Sequence, residues 1–390
     1  MRINKDDSIL IIGGGLSGLF TALALQHEGY ESVKLLHKDQ ELNWPETPVQ
    51  LGAHLFPLLT AFGLVDELKK LGTPWTQGGF KAKNGKEVQN LDLDRISNMV
   101  GFKPHLIPAS TLLKLIKERL KPGTLQGKAD FISYTQNEKQ IQAHFLDGNS
   151  ETHEFMIGAD GENSRVRLQM LGEVSPKTED LITWESVIEK SSLPEELLGT
   201  LEEPCLDYVG PGQRVSILPM KEGKIGVAFT LKSTGPVDPR QAKEQLQASF
   251  SDWPQPVPEV VDKIWPASLV PRVHKDRDLS KQVFRERVML VGYAAQPIMP
   301  FLGMEDSFEI ESAVTLVNQL NAQPKKVEKA LQAYEKRMRT RASIYHRAGR
   351  RYANWLSVTQ PVRYTLRNVL FQYLPERTTT APFYKINLGK

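Results

Sequence analysis

The chain has 390 residues, 40% hydrophobic and 24% charged, which excludes a disordered polypeptide and allows about two or three structural units. Its one cysteine, Cys205, excludes an internal disulfide framework and a cysteine-built zinc site, and its eight histidines show no helical metal spacing. The net charge of +3 gives no sign of nucleic acid, but residues 325–390 carry 15 Lys+Arg against 3 Asp+Glu, a net +12 that leaves −9 on the rest. Ser8–Leu25 is 18 residues without a charge, long enough to raise a membrane span. Four of them are glycine, so the stretch reads as a buried strand, a tight turn and a buried helix.

In chain order, Ser8–Ile12 is a short apolar run, as expected of a central parallel strand. Gly13-Gly14-Gly15-Leu16-Ser17-Gly18 follows, then an Ala/Leu-rich helix over Leu19–His27 stopped by Gly29, then a second strand at Val33–Leu36. Residues 51–71 and 108–120 read as amphipathic helical stretches. Ile141–Phe145 and Glu154–Ile157 are strand candidates around the turn at Asp147-Gly148-Asn149. Residues 175–270 carry strand-like runs at Val215–Leu218 and Lys224–Leu231 and many prolines, which suggests a second unit on an antiparallel sheet. Arg287–Val291 is one more buried strand, and helix follows from Glu311 to Pro361 and again over Arg363–Tyr373.

Two motifs carry chemistry. Gly13, Gly15 and Gly18 form GxGxxG between a strand and a helix, where the glycines permit a tight turn, close approach to a pyrophosphate, and close helix–strand packing. Gly158-Ala159-Asp160-Gly161-Glu162-Asn163-Ser164-Arg165-Val166-Arg167 follows an apolar strand, and no periodicity explains it. Its Asp-Gly turn would present a carboxylate and amides to a ligand.

GADGxxSxVR at this distance from an N-terminal GxGxxG resembles the Asp-Gly motif of the class A FAD-dependent monooxygenases, which share the para-hydroxybenzoate hydroxylase fold. Arg287–Ala313 resembles a third motif of that family, matching at Gly292, Ala294, Ala295, Pro300, Gly303, Ile310, Glu311 and Ala313. The resemblance covers roughly residues 8–340 and implies an α/β fold, with a Rossmann-like FAD-binding domain, an interleaved antiparallel-sheet substrate domain and C-terminal helices. The expected boundaries are 1–75, 100–175 and 275–325 for the first, 76–99 and 176–274 for the second, and 326–390 for the helices. The implied cofactor is FAD, reduced by NAD(P)H, and the implied reaction is hydroxylation or epoxidation of an aromatic or polycyclic small molecule. The implied cofactor-binding residues are Gly13, Gly15, Leu16, Ser17, Gly18, His37, Lys38, Asp160, Gly161, Tyr293, Ala295, Gly303 and Met304.

Several positions depart from the family pattern. His37 stands where an acid should end the second strand, and beside Lys38 a protonated imidazole would suit a phosphate, whereas a neutral one could accept one hydrogen bond. Tyr293, Gln296 and Glu305 replace Asp, His and Gly, and Pro108 takes the place of an arginine. These changes keep two other readings open: a non-redox cyclase or isomerase with Glu305 as general acid or base, and a non-catalytic partner protein. The expected partners are a small-molecule substrate, no nucleic acid, and a membrane surface or protein touched by the basic C-terminal segment. A cytoplasmic location is expected from the cysteine count and the missing targeting signal.

Overall fold

The computed structural model describes residues 1–42, 44–172, 177–202, 205–232, 237–298, 303–373 and 381–389. Pro300 and the side chain of Cys205 lie outside what is described. Four buried residues form the central strand, Ile9–Ile12, and their apolar side chains cover both of its faces. It pairs in parallel with Val33–Leu36 on one side and with Phe155–Gly158 on the other. Val288–Leu290 continues the sheet beyond Phe155–Gly158, again in parallel, and Leu125–Gln126 extends the opposite side. The helices Leu16–His27 and Glu305–Ala322 pack against each other on this sheet.

A seven-stranded sheet forms the second layer, in the order Val270–Asp276, Lys177–Glu189, Lys224–Lys232, Gln213–Pro219, Cys205–Gly210, Gln77–Ala82, Glu87–Asp92. All of its neighbours are antiparallel except Cys205–Gly210 and Gln77–Ala82. Its apolar face packs on helices Ala242–Phe250 and Val257–Lys263 through Trp184, Phe229, Phe250 and Trp253. The opposite face carries Arg214, Thr230, Thr183 and Arg272 and looks toward the start of Glu305–Ala322.

Three expectations need correction. Ile141–Phe145 pairs with Ser150–His153, whereas Phe155–Gly158 leaves that hairpin for the parallel sheet; the hairpin alternates in exposure and the second run is buried throughout. Residues 51–71 form two helices, Leu55–Leu59 and Val65–Leu71, because the chain turns at Gly63 with φ +63°. Pro361 opens a helix, where its missing N–H costs nothing, rather than closing one.

The C-terminal helices are bound to the core by a buried ion pair. Arg341, on the helix Val327–Leu356, donates from Nε to Glu311 Oε1 at 2.8 Å and from Nη2 to Oε2 at 2.9 Å. The same guanidinium donates to the Ile386 carbonyl at 3.1 Å, and His54 Nε2 lies 3.3 Å from Glu311 Oε2. Burial alone would raise the Glu311 carboxyl, but His54 and Arg341 together hold it well below the usual carboxylate range, at about 2. A depressed folded-state pKa adds stability above the unfolded value and loses it as pH falls through the folded value. Arg341→Ala should therefore lower stability at neutral pH by about 3–5 kcal/mol, read by urea unfolding, through an uncompensated buried carboxylate. The gap between variant and parent should narrow as pH drops from about 4.5 toward 2.

Candidate functional site

The parallel sheet ends where three chain segments converge. Gly13 has φ +119°, and a Cβ there would lie 2.3 Å from the Ala159 carbonyl oxygen. A Cβ on Gly18 would lie 1.9 Å from the Gly13 oxygen, so neither position has room for a side chain. Gly15 differs, because a Cβ there would meet nothing within 4 Å. It borders a cleft of about 530 Å³ lined by Gly13, His37, Trp44, Asp160 and Glu309 among others. The helix Leu16–His27 starts at this cleft with no side-chain cap, which leaves its first N–H groups for a ligand.

Among the described residues, three buried polar atoms of the cleft lining have no protein partner: Asp160 Oδ1, His37 Nδ1 and Glu162 Oε1. Asp160 Oδ2 accepts from the Val166 N–H at 3.2 Å, but Oδ1 is unpartnered. Burial pushes this carboxyl up against the hydrogen bonds that favour its anion. His37 ends the strand Val33–Leu36, and its Nδ1 is also unpartnered. Burial lowers its pKa, which favours the neutral ring, able to accept one hydrogen bond from a hydroxyl. Lys38 and Gly161 line the same cleft, and Leu16 and Ser17 are buried at the helix start.

Arg167 joins the second motif to the third. It donates to the carbonyls of Tyr293 and Ala294, each at 3.0 Å, and to that of Glu162. Ala295 is buried, and Gln296 donates to the Ser280 carbonyl at 3.0 Å, which is a structural bond. The Tyr293 hydroxyl is buried without a partner, and burial together with Glu305 pushes it well above its ordinary value. Pro108 precedes the helix Ala109–Lys117. Met304 turns into the core, where its Sδ accepts from Asn387 Nδ2 at 3.2 Å, while Gly303, Glu305 and Asp306 line a cavity.

That second cavity is narrow, about 60 Å³, and lies between the Gly303–Asp306 segment and the large sheet. Its floor is one rung of the sheet, in which Arg214 faces Thr230, Thr230 faces Thr183, and Thr183 faces Arg272. Asp207 takes the Arg214 guanidinium in a fork, at 3.1 Å and 2.7 Å, and Glu185 accepts from Arg272 at 3.2 Å. His274 Nε2 lies 2.7 Å from Thr183 Oγ1. Burial and the two arginines hold this imidazole neutral, near pKa 3. Asp306 lies opposite, with its carboxyl pushed up to about 7 by burial against the pull of Arg272.

The two spaces share one helix. Glu305 and Asp306 line the cavity, and Glu309, one turn further on, lines the cleft. The open glycine, the uncapped helix and the unpartnered atoms of His37 and Asp160 fit the nucleotide end of a dinucleotide. Sequence reasoning missed Trp44, whose Nε1 donates to the Gly14 carbonyl at 3.2 Å, and the whole Arg214–Arg272 rung. No motif marks either of them.

This architecture is that of the class A FAD-dependent monooxygenases. The chain belongs to the FAD binding domain family, whose model matches residues 6–347, and its cofactor is FAD. It is 26% identical over 362 residues to the 3-amino-4-hydroxybenzoate 2-monooxygenase of Streptomyces cremeus, covering 90% of this chain and 88% of that one. It is 25% identical over 317 residues to the aurachin C monooxygenase/isomerase of Stigmatella aurantiaca, covering 80% of each. Klebsiella pneumoniae HpxO, solved with FAD and uric acid, superimposes with a TM-score of 0.87 at 19% identity over 98% of this chain and 97% of that one.

The glycines give a paired test. Gly15→Val should fold with an unchanged melting temperature yet lose retained flavin absorbance around 450 nm. Gly18→Ala should lower the melting temperature itself, by overpacking worth about 1–3 kcal/mol.

Proposed function

We propose that the protein is an FAD-dependent, NAD(P)H-using monooxygenase of an aromatic or polycyclic small molecule, bound between the Gly303–Asp306 segment and the large sheet. The observation that carries this reading is the shared helix, which brings the nucleotide cleft and the sheet cavity within one turn of each other. FAD supplies hydride acceptance from NAD(P)H and activation of O2. The N–H groups that open Leu16–His27 hold its diphosphate, with Gly13, Gly15 and Gly18 making room. His37 hydrogen-bonds a ribose hydroxyl, and Asp160 Oδ1 accepts from the nucleotide. Lys38 and Gly161 border the same end, Tyr293, Ala295 and Gly303 border the ring end, and Met304 supports that end from the core. The polar rung of the sheet orients the substrate, and the narrowness of the cavity excludes water.

In this reading, residues 1–75, 100–175 and 275–325 hold FAD, residues 76–99 and 176–274 form the substrate wall, and 326–390 braces both. The reaction is placed in the cytoplasm, where the single cysteine stays reduced.

Asp160→Ala should weaken FAD binding by about tenfold or more in a fluorescence titration, the loss of one buried hydrogen bond to a charged group. The reading as a whole is tested by adding FAD to the purified protein, removing the unbound fraction, and recording the visible spectrum and NADPH oxidation. A colourless protein, or product formed without NADPH and O2, ends it.

The C-terminal segment also has a contact surface. Residues 336–375 hold nine Lys+Arg and no Asp or Glu. Within them the helix Pro361–Tyr373 exposes Val362, Leu366, Val369, Leu370 and Tyr373 along one stripe, while Tyr364 and Arg367 bind it to the body. An exposed apolar stripe in basic surroundings suits an anionic membrane surface. The protein should co-sediment with phosphatidylcholine vesicles holding about 30% phosphatidylglycerol and not with pure phosphatidylcholine. Leu366→Glu with Leu370→Glu should abolish this without lowering the melting temperature. A variant that instead dissociates a dimer identifies a second copy as the partner.

A further inference from the structure

The helix Glu305–Ala322 sends one acidic side chain into the glycine-lined cleft. Glu309 lines that cleft together with Gly13, Gly15 and Asp160. Its carboxyl lies where the first turn of Leu16–His27 meets the backbone of Gly292 and Tyr293. A Cβ on Gly292 would be 1.8 Å from Ser17 Oγ and 3.4 Å from Glu309 Oε1, so hydroxyl and carboxyl converge on one point. That point lies beside the uncapped N–H groups that open Leu16–His27, which favour a negative ligand group. A carboxylate at the same place works against such a ligand, because two like charges brought close in a partly dry site repel.

The surroundings of Glu309 relieve this conflict by favouring its neutral form. Burial, and then the charge of Asp306 three residues earlier, push its carboxyl up to about 7. The Ser17 hydroxyl, Arg272 of the large sheet and the Tyr293 N–H pull the other way. Glu305, on the same helix, and the Tyr293 phenol complete the titratable groups on this side. Across the cleft stand Asp39, Asp160 and Glu162 with Lys38, and Arg165 is paired with Asp130. The first turn of Leu16–His27 carries no acid.

Accepting that FAD lies along this cleft with its diphosphate at the start of Leu16–His27, we propose that Glu309 is a positioning residue that binds the cofactor as the neutral acid, so that FAD association takes up a proton from solvent. The carboxyl O–H donates to a phosphate oxygen, whereas the carboxylate would stand as an unpaired like charge beside it. The protonated side chain is the binding form, so affinity is full below about 7 and falls as pH rises through that value. His37 does not produce this fall, because its own pKa is lowered from 6.5 and its ring keeps one charge state above that pH.

The test titrates the full chain with FAD, read by flavin fluorescence, from pH 6.5 to 8.5. Affinity should fall about tenfold over that range. Calorimetry at pH 8 in two buffers of different ionisation enthalpy should show uptake of about one proton per FAD. Glu309→Gln keeps a donor and has no proton to gain. Its affinity should vary by less than about twofold over the range, exceed that of the parent at pH 8.5, and show no uptake. Asp306→Asn should keep the uptake and move the fall to lower pH, which separates the two acids that titrate near 7. ADP-ribose, which has the diphosphate and no flavin, should show the same fall, and adenosine none. FAD binding that is independent of pH, or a fall that survives in Glu309→Gln, overturns the proposal and leaves the monooxygenase reading standing. No uptake of FAD by parent or variant at any pH ends both. If Glu309→Gln does not fold, the calorimetry on the parent and the contrast of ADP-ribose with adenosine decide.

Discussion

The glycine-lined cleft of this protein depends on a close approach of three chain segments. The oxygen of Gly13 occupies the place that a Cβ on Gly18 would take, and the oxygen of Ala159 the place of a Cβ on Gly13. On Gly292 a Cβ would lie 1.8 Å from Ser17 Oγ. Three segments far apart in sequence therefore meet where no side chain fits. Their meeting aims the first turn of Leu16–His27 at the cleft, puts Asp160 on its rim, and sets Tyr293 behind it. The apolar strands beneath supply the stability, and the glycines convert it into position.

The helix Glu305–Ala322 carries that position to the second sheet. Its first turn looks into the cavity beneath that sheet, its second borders the glycine-lined cleft, and its middle is fixed through Glu311 to Arg341. A buried ion pair adds little net stability over an apolar contact, but it holds one geometry firmly. Here it sets one helix against another and against the C-terminal Ala381–Asn387 helix, whose Asn387 supports Met304 just before the cavity. The basic C-terminal region thus has an inner side that braces the site and an outer side that faces solvent.

The nucleotide half was legible in the sequence because its geometry is local. GxGxxG and GADGxxSxVR each place their own residues within about one turn of a strand end, and the elements around them follow from apolar runs. The substrate half was not legible. Arg214, Thr230, Thr183 and Arg272 become neighbours only through the register of four strands, and no local pattern fixes register across such separations. Trp44 reaches Gly14 from a loop without a motif, and the hairpin at Ile141–Phe145 chose a different partner because the next run was needed in the parallel sheet. His37 was ambiguous in the sequence, because its charge depends on a burial that only packing determines.

The departures from the family pattern divide along the same line. In the proposed reading the nucleotide is held mainly by backbone N–H groups and by missing side chains, so a change such as acid to His37 removes one contact and leaves the rest intact. The substrate cavity is built from side chains, and each exchange there changes its charge or shape directly. Glu305 in place of a small residue adds a carboxylate to the wall that faces Arg214 and Arg272. Membership of the family therefore reports on the cofactor, while the choice of substrate is left to side chains that no family motif fixes.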